Sequence, residues 1–85
     1  MPNEIYRQLR EANPQALTLP FLENAYVGFS LQAGERALAT YDYDLCIESI
    51  MQRRRIGRSK AVEYFVTEVA EIYEGANTPL VLVRH

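Results

Sequence analysis

At Thr40-Tyr41-Asp42-Tyr43-Asp44 the chain changes its period. Upstream, apolar and small or polar residues alternate, as in a strand with one buried face. Downstream, apolar residues recur every three or four positions, as on one face of a helix. A strand that runs into a helix through aspartate is a specific corner. The carboxylate of Asp42 or Asp44 can accept from a free backbone N–H, and it also suits the positive end of the helix dipole.

The elements on either side follow from this corner. Val27, Phe29 and Leu31 alternate with Gly28, Ser30 and Gln32, which predicts a strand over residues 25–32. Gly28 inside it marks a bulge or a close backbone approach. Ala33-Gly34-Glu35 is a three-residue connection in which Gly34 can take positive φ, and residues 36–41 return as the second strand. After the corner a helix covers residues 43–54. Tyr43, Ile47, Ile50 and Met51 share a face with Cys46 beside it, while Glu48, Ser49 and Gln52 face away. Gly57 is the expected stop, and Ser59 the expected cap of a third helix over residues 60–74. That helix carries an apolar stripe of Val62, Phe65, Val66, Val69, Ile72 and Tyr73. Two helices joined by so short a turn are expected to be antiparallel. Gly75-Ala76-Asn77 stops the third helix and Thr78-Pro79 opens a last strand. Leu80 to Val83 is continuously apolar, as in a strand that is central or covered on both faces.

The N-terminal part is less periodic. Residues 3–12 predict a short helix capped by Asn3, with Ile5, Tyr6, Leu9 and Ala12 on one stripe. Asn13-Pro14 ends it, because the residue before proline is pushed out of the helical region. Residues 13–24 form a loop with a helical turn near Pro14. Leu17, Leu19, Phe21 and Leu22 make the loop too apolar to be free of the core. The expected order is α-β-β-α-α-β in one small α+β domain over residues 1–85. A three-stranded, mainly antiparallel sheet is covered by the helices, with strand order 1-2-3 and the last strand antiparallel to the second. Insertion of the last strand beside the first is the alternative.

Charge is distributed unevenly. Residues 1–50 hold three basic and seven acidic side chains; residues 61–85 hold one and four. The decapeptide between them holds five basic ones, Arg53, Arg54, Arg55, Arg58 and Lys60, and no acid. A net charge of −2 lacks the overall positive field of a general nucleic-acid binder, so the basic turn is the local exception. It fits three readings: a solvated cluster complementing a helix C-terminus, a contact for a protein partner, or a clamp for phosphates. A helix-turn-helix reading is discounted, since both helices turn apolar faces to the core and the second displays acidic residues.

Groups for catalysis are sparse. The one histidine is His85, at the very end of the chain, and Cys46 sits mid-helix with no histidine near in sequence. No phosphate loop, dinucleotide fingerprint, nucleophile elbow or metal-ligand spacing is present. Asp42 and Asp44 read as capping groups ahead of a carboxylate pair or a Mg²⁺ site. The expectation is a non-enzyme without cofactor or metal. No apolar run is long enough to cross a bilayer, the first residues lack a secretory pattern, and the lone cysteine forms no internal disulfide, which together point to the cytoplasm. Among six tyrosines, Tyr26 and Tyr64 fall off the apolar stripes and are candidate interface residues.

Four segments taken together resemble a known family. They are Glu23-Asn24-Ala25-Tyr26-Val27-Gly28, Tyr41-Asp42-Tyr43-Asp44-Leu45-Cys46-Ile47-Glu48, Ala61-Val62-Glu63-Tyr64-Phe65 and Tyr73-Glu74-Gly75-Ala76-Asn77-Thr78-Pro79. In this order, across about residues 21–80, they resemble small uncharacterised proteins of tailed phages and of bacterial genomes carrying mobile elements. Two positions depart from the pattern. Glu68 stands where the family has asparagine, and the family's acidic helix–helix turn is here basic. The resemblance implies a phage-associated origin, hence a bacterial host cytoplasm, and no activity. The expected function is binding of a protein partner, as an adaptor or an inhibitor of a host system. The alternative is accessory nucleic-acid binding through residues 53–60. A homodimer through an edge strand is a further expectation.

Overall fold

The structure is a computed structural model and describes residues 5–31, 36–70 and 77–84. Helix α1, Arg7–Ala12, leads into a loop and a 3-10 turn, Glu23–Ala25. Strands β1 (Tyr26–Leu31) and β2 (Ala37–Asp42) form an antiparallel pair. Helix α2 (Tyr43–Arg54) follows β2 without a break, then α3 (Arg58–Tyr64) continues into a π-helical turn, Phe65–Ala70. Strand β3, Leu80–Leu82, completes a three-stranded sheet of order β1-β2-β3. The fold is α+β. The expected cap Asn3, the hairpin connection at residues 33–35, the end of the third helix with Ile72 and Tyr73, and His85 lie outside the described residues.

The corner forms as its residues require. Asp42 is extended, and its Oδ1 accepts from the Leu45 N–H at 3.0 Å, capping α2. Its Oδ2 accepts from Nε and Nη2 of Arg84, both at 2.6 Å. These donors hold the Asp42 carboxyl below its ordinary pKa, with the Leu45 N–H the largest cause. Asp44 does not cap; it pairs with Arg58 at 2.9 Å.

The core lies between the inner face of β2 and the helices. Ala37, Ala39 and Tyr41 are buried against Leu9, Cys46, Ile47, Ala61 and Phe65. Tyr41 is fully buried, and its hydroxyl both accepts from the Leu19 N–H and bonds Tyr6 Oη, each at 2.9 Å. This ties the N-terminal loop to the sheet, and Ala16, Leu19 and Leu22 are buried with it. Burial raises the Tyr41 pKa strongly, and it pushes the Cys46 thiol up to about 12. Cys46 is an inert part of the packing.

Several expectations need correction. β3 is parallel to β2, with Leu80 beside Thr40 and Leu82 beside Asp42; the sheet is mixed, not mainly antiparallel. The cause lies 64 residues apart in the chain. Asn13 Nδ2 donates to Ala37 O at 2.9 Å and to Asn77 Oδ1 at 3.0 Å. The Leu17 N–H donates to Asn77 O at 3.1 Å. Asn77 is thereby held at the beginning of β2, and the chain must enter β3 from the end at which it enters β2. Between the two helices Asp44 pairs with Arg58, Arg54 meets Tyr64, and Tyr43 meets the Phe65 ring edge-on at 5.8 Å. β3 is an edge strand, and Val81, Leu82 and Val83 are exposed rather than covered on both faces.

Local corrections have local causes. Gly28, at φ 143°, sits in a bulge between Tyr26 and Gly28. The extra residue shifts the alternation there, so Tyr26 and Phe29 both pack on the core while Val27 is exposed; Leu31, the last residue of β1, is exposed as well. Ile5 and Ala12 are exposed, and α1 buries only Leu9. α2 ends at Arg55 in the left-handed region, not at Gly57, and Ile56 N–H closes back on Met51 O at 3.2 Å. Gly57 then stands at the N-cap of α3, which has no side-chain cap, and Ser59 lies inside the first turn. The π-helical turn keeps Phe65 and Val69 buried and leaves Val66 exposed.

Candidate functional site

The last turn of α2 carries Arg53 and Arg54 in succession, and both guanidinium groups lie on aromatic rings. Arg53 covers Phe21 with its guanidinium carbon 4.1 Å from the ring centroid. Arg54 covers Tyr64 at 4.2 Å and donates from Nη2 to Tyr64 Oη at 3.1 Å. Consecutive helical residues diverge by about 100°, so the two arginines part to opposite sides. Between them is a groove of about 340 Å³. Leu22, Ile50 and Val69 form its floor, and Pro20, Phe21, Tyr64 and Glu68 lie along its sides. Ile50 precedes the arginines by three and four residues, which places it beneath both.

Phe21 is the unusual member. It has φ 64° and remains 63% exposed. A left-handed backbone costs an L-residue about 1–2 kcal/mol, and a bulky aromatic there is an outlier. The conformation follows from its neighbours. Leu19 and Leu22 are both buried, with Pro20 between them and the chain reversing at residues 20–21. Burying both leucines turns Phe21 outward, where Arg53 meets its face.

The remaining basic residues are dispersed. Arg58 is committed to Asp44, both side chains about half exposed at 52% and 54%. Arg55 terminates α2 in the left-handed region, and Lys60 is exposed on α3. A second, shallower hollow of about 380 Å³ includes Ile56, Lys60, Glu63 and Thr67 and shares the Arg54–Tyr64 wall. Of the predicted residues, then, Arg53, Arg54 and Tyr64 come together, Lys60 lies behind Tyr64, and Arg55 and Arg58 serve local structure. Tyr26 is on another part of the molecule. Its ring meets Tyr6 edge-on at 4.7 Å and Tyr41 at 5.5 Å, so it is half-buried against the core.

Phe21, like the floor residues Leu22, Ile50 and Val69, was not among the site residues expected from the sequence. Its signal was weak: an aromatic directly after proline, at a turn position that usually takes glycine or asparagine.

Among the described residues no group of three or more His, Cys, Asp or Glu side chains is placed to hold a metal ion. No helix among them is long and apolar enough to cross a membrane. The groove combines aromatic rings, an apolar floor and guanidinium groups, a composition that suits recognition. No family model, curated protein or solved structure matches the chain.

Proposed function

We propose that this chain is a small, non-enzymatic, phage-related protein of the bacterial cytoplasm that acts by binding a protein partner, as an adaptor or an inhibitor of a host system. The supporting observation is the groove between Phe21 and Tyr64, where two arginines flank an apolar floor. Arginine and aromatic side chains are the residues that dominate protein interfaces, and stacking holds each guanidinium ready with little ordering cost. The phage relation is supported by the four motif segments, of which the strand–helix corner and Gly28 occupy defined structural positions. The dispersal of the basic turn favours a protein over a nucleic acid, because Arg58 faces Asp44 and does not extend a phosphate track.

Affinity capture from a bacterial lysate tests this reading, with the wild type beside a variant carrying Arg53→Ser and Arg54→Ser. The expected outcome is a discrete protein that survives nuclease treatment and is lost with the variant. Recovery that disappears on nuclease treatment would put nucleic acid in its place. A protein held equally by both forms would move the interface away from the groove.

A further inference from the structure

We infer that the groove takes an extended peptide segment of the form acidic–bulky apolar–acidic, with the apolar side chain on Leu22, Ile50 and Val69 and one carboxylate on each of Arg53 and Arg54. This deepens the partner-binding reading and rests on it.

Three observations lead there. First, the cations have unused donors. A guanidinium carries five N–H groups. Among the described residues Arg54 gives one of them to Tyr64, while Arg53 contacts the Phe21 ring and has no hydrogen bond or ion pair. A guanidinium held over a ring through its carbon contact still has N–H groups with which to receive a carboxylate. Second, the groove alternates in character across its width: cation on Phe21, apolar floor, cation on Tyr64. In an extended peptide, successive side chains point to opposite sides at about 3.3 Å per residue. A central apolar residue directed into the floor therefore sends both neighbours up to the rims, where the arginines are. Third, size and charge set limits. About 340 Å³ admits one bulky side chain with its flanking backbone, not a helix. Glu68 lines the same groove and repels an acidic residue there, so a longer acidic run gains nothing.

Fluorescence anisotropy tests the inference, with the full chain titrated into labelled Gly-Ser-Asp-Leu-Asp-Ser-Gly at low salt. The expected result is saturable binding that weakens as salt rises and by about tenfold or more with either Arg53→Ser or Arg54→Ser. Replacing the peptide's leucine with serine is expected to have a comparable effect, and it needs no change to the protein. No binding of this peptide, equal binding of a Lys-Leu-Lys or Ser-Leu-Ser version, or indifference to both arginine variants would overturn it. The two readings fail separately. A lysate partner lost with the arginine variants, beside a peptide that does not bind, refutes the motif and leaves the docking groove. A partner indifferent to the arginines refutes the docking groove itself.

Discussion

Phe21 holds a strained backbone and an exposed ring at the same position. That combination gives a direct separation of stability from recognition. Phe21→Gly relieves the left-handed backbone while removing the ring, so denaturant unfolding is expected to show no loss of stability and a gain of up to about 1 kcal/mol. Phe21→Ala keeps the strain and loses the contact with Arg53, so it should be the less stable of the two. If the glycine variant proves clearly less stable than wild type, the ring is structural rather than presented to a partner. Asp42 gives a second residue-scale prediction. Its folded-state pKa lies below the ordinary value of 3.8. It therefore contributes stability above the unfolded pKa, and that contribution disappears as pH falls through the folded value. Unfolding followed from pH about 5 down to about 2 should show stability falling, with a shallower fall for Asp42→Asn, which keeps a cap but loses the charge on Arg84. Equal slopes would take Asp42 out of the acid response.

At the scale of elements, what was readable in the sequence was what depends on near neighbours. The corner at Asp42, the extent of α2, the extended Asn13 before Pro14 and the Gly28 bulge are each set by residues within a few positions. The direction of β3 was not readable, because it depends on Asn13 and Leu17 holding Asn77, contacts between the two ends of the chain. The stop signal and the start of the third helix were misread for a related reason: Arg55 takes the left-handed conformation that glycine ordinarily takes, and Gly57 instead stands at the N-cap of α3. The π-helical turn adds Phe65 and Val69 to the core contact that α3 makes through Ala61. That ring is 4% exposed and meets Tyr43 edge-on at 5.8 Å. Phe65→Ala should cost about 3–5 kcal/mol in denaturant unfolding. A loss below about 1 kcal/mol would mean that the turn is not anchored to the core.

At the scale of the whole molecule, the acidic sequence with one basic decapeptide resolves into something narrower than a basic patch. The C-terminal segment is tied back to the rest of the chain through Asn77 with Asn13 and Arg84 with Asp42. The same packing brings the N-terminal loop against α2 and so places Phe21 under Arg53. Only the composition of the site was legible: Arg53, Arg54 and Tyr64 could be named, but not the groove that joins them to Phe21, Leu22 and Val69. Under the proposed function, this groove is where the protein meets its partner. The most direct measurement is a ¹H–¹⁵N amide titration with the Asp-Leu-Asp peptide. Shifts are expected only at residues 20–22, 49–54 and 64–69, with the Nε–H signals of Arg53 and Arg54 moving together. Shifts centred on β1 and β3, or on residues 55–60 without the groove, would contradict it.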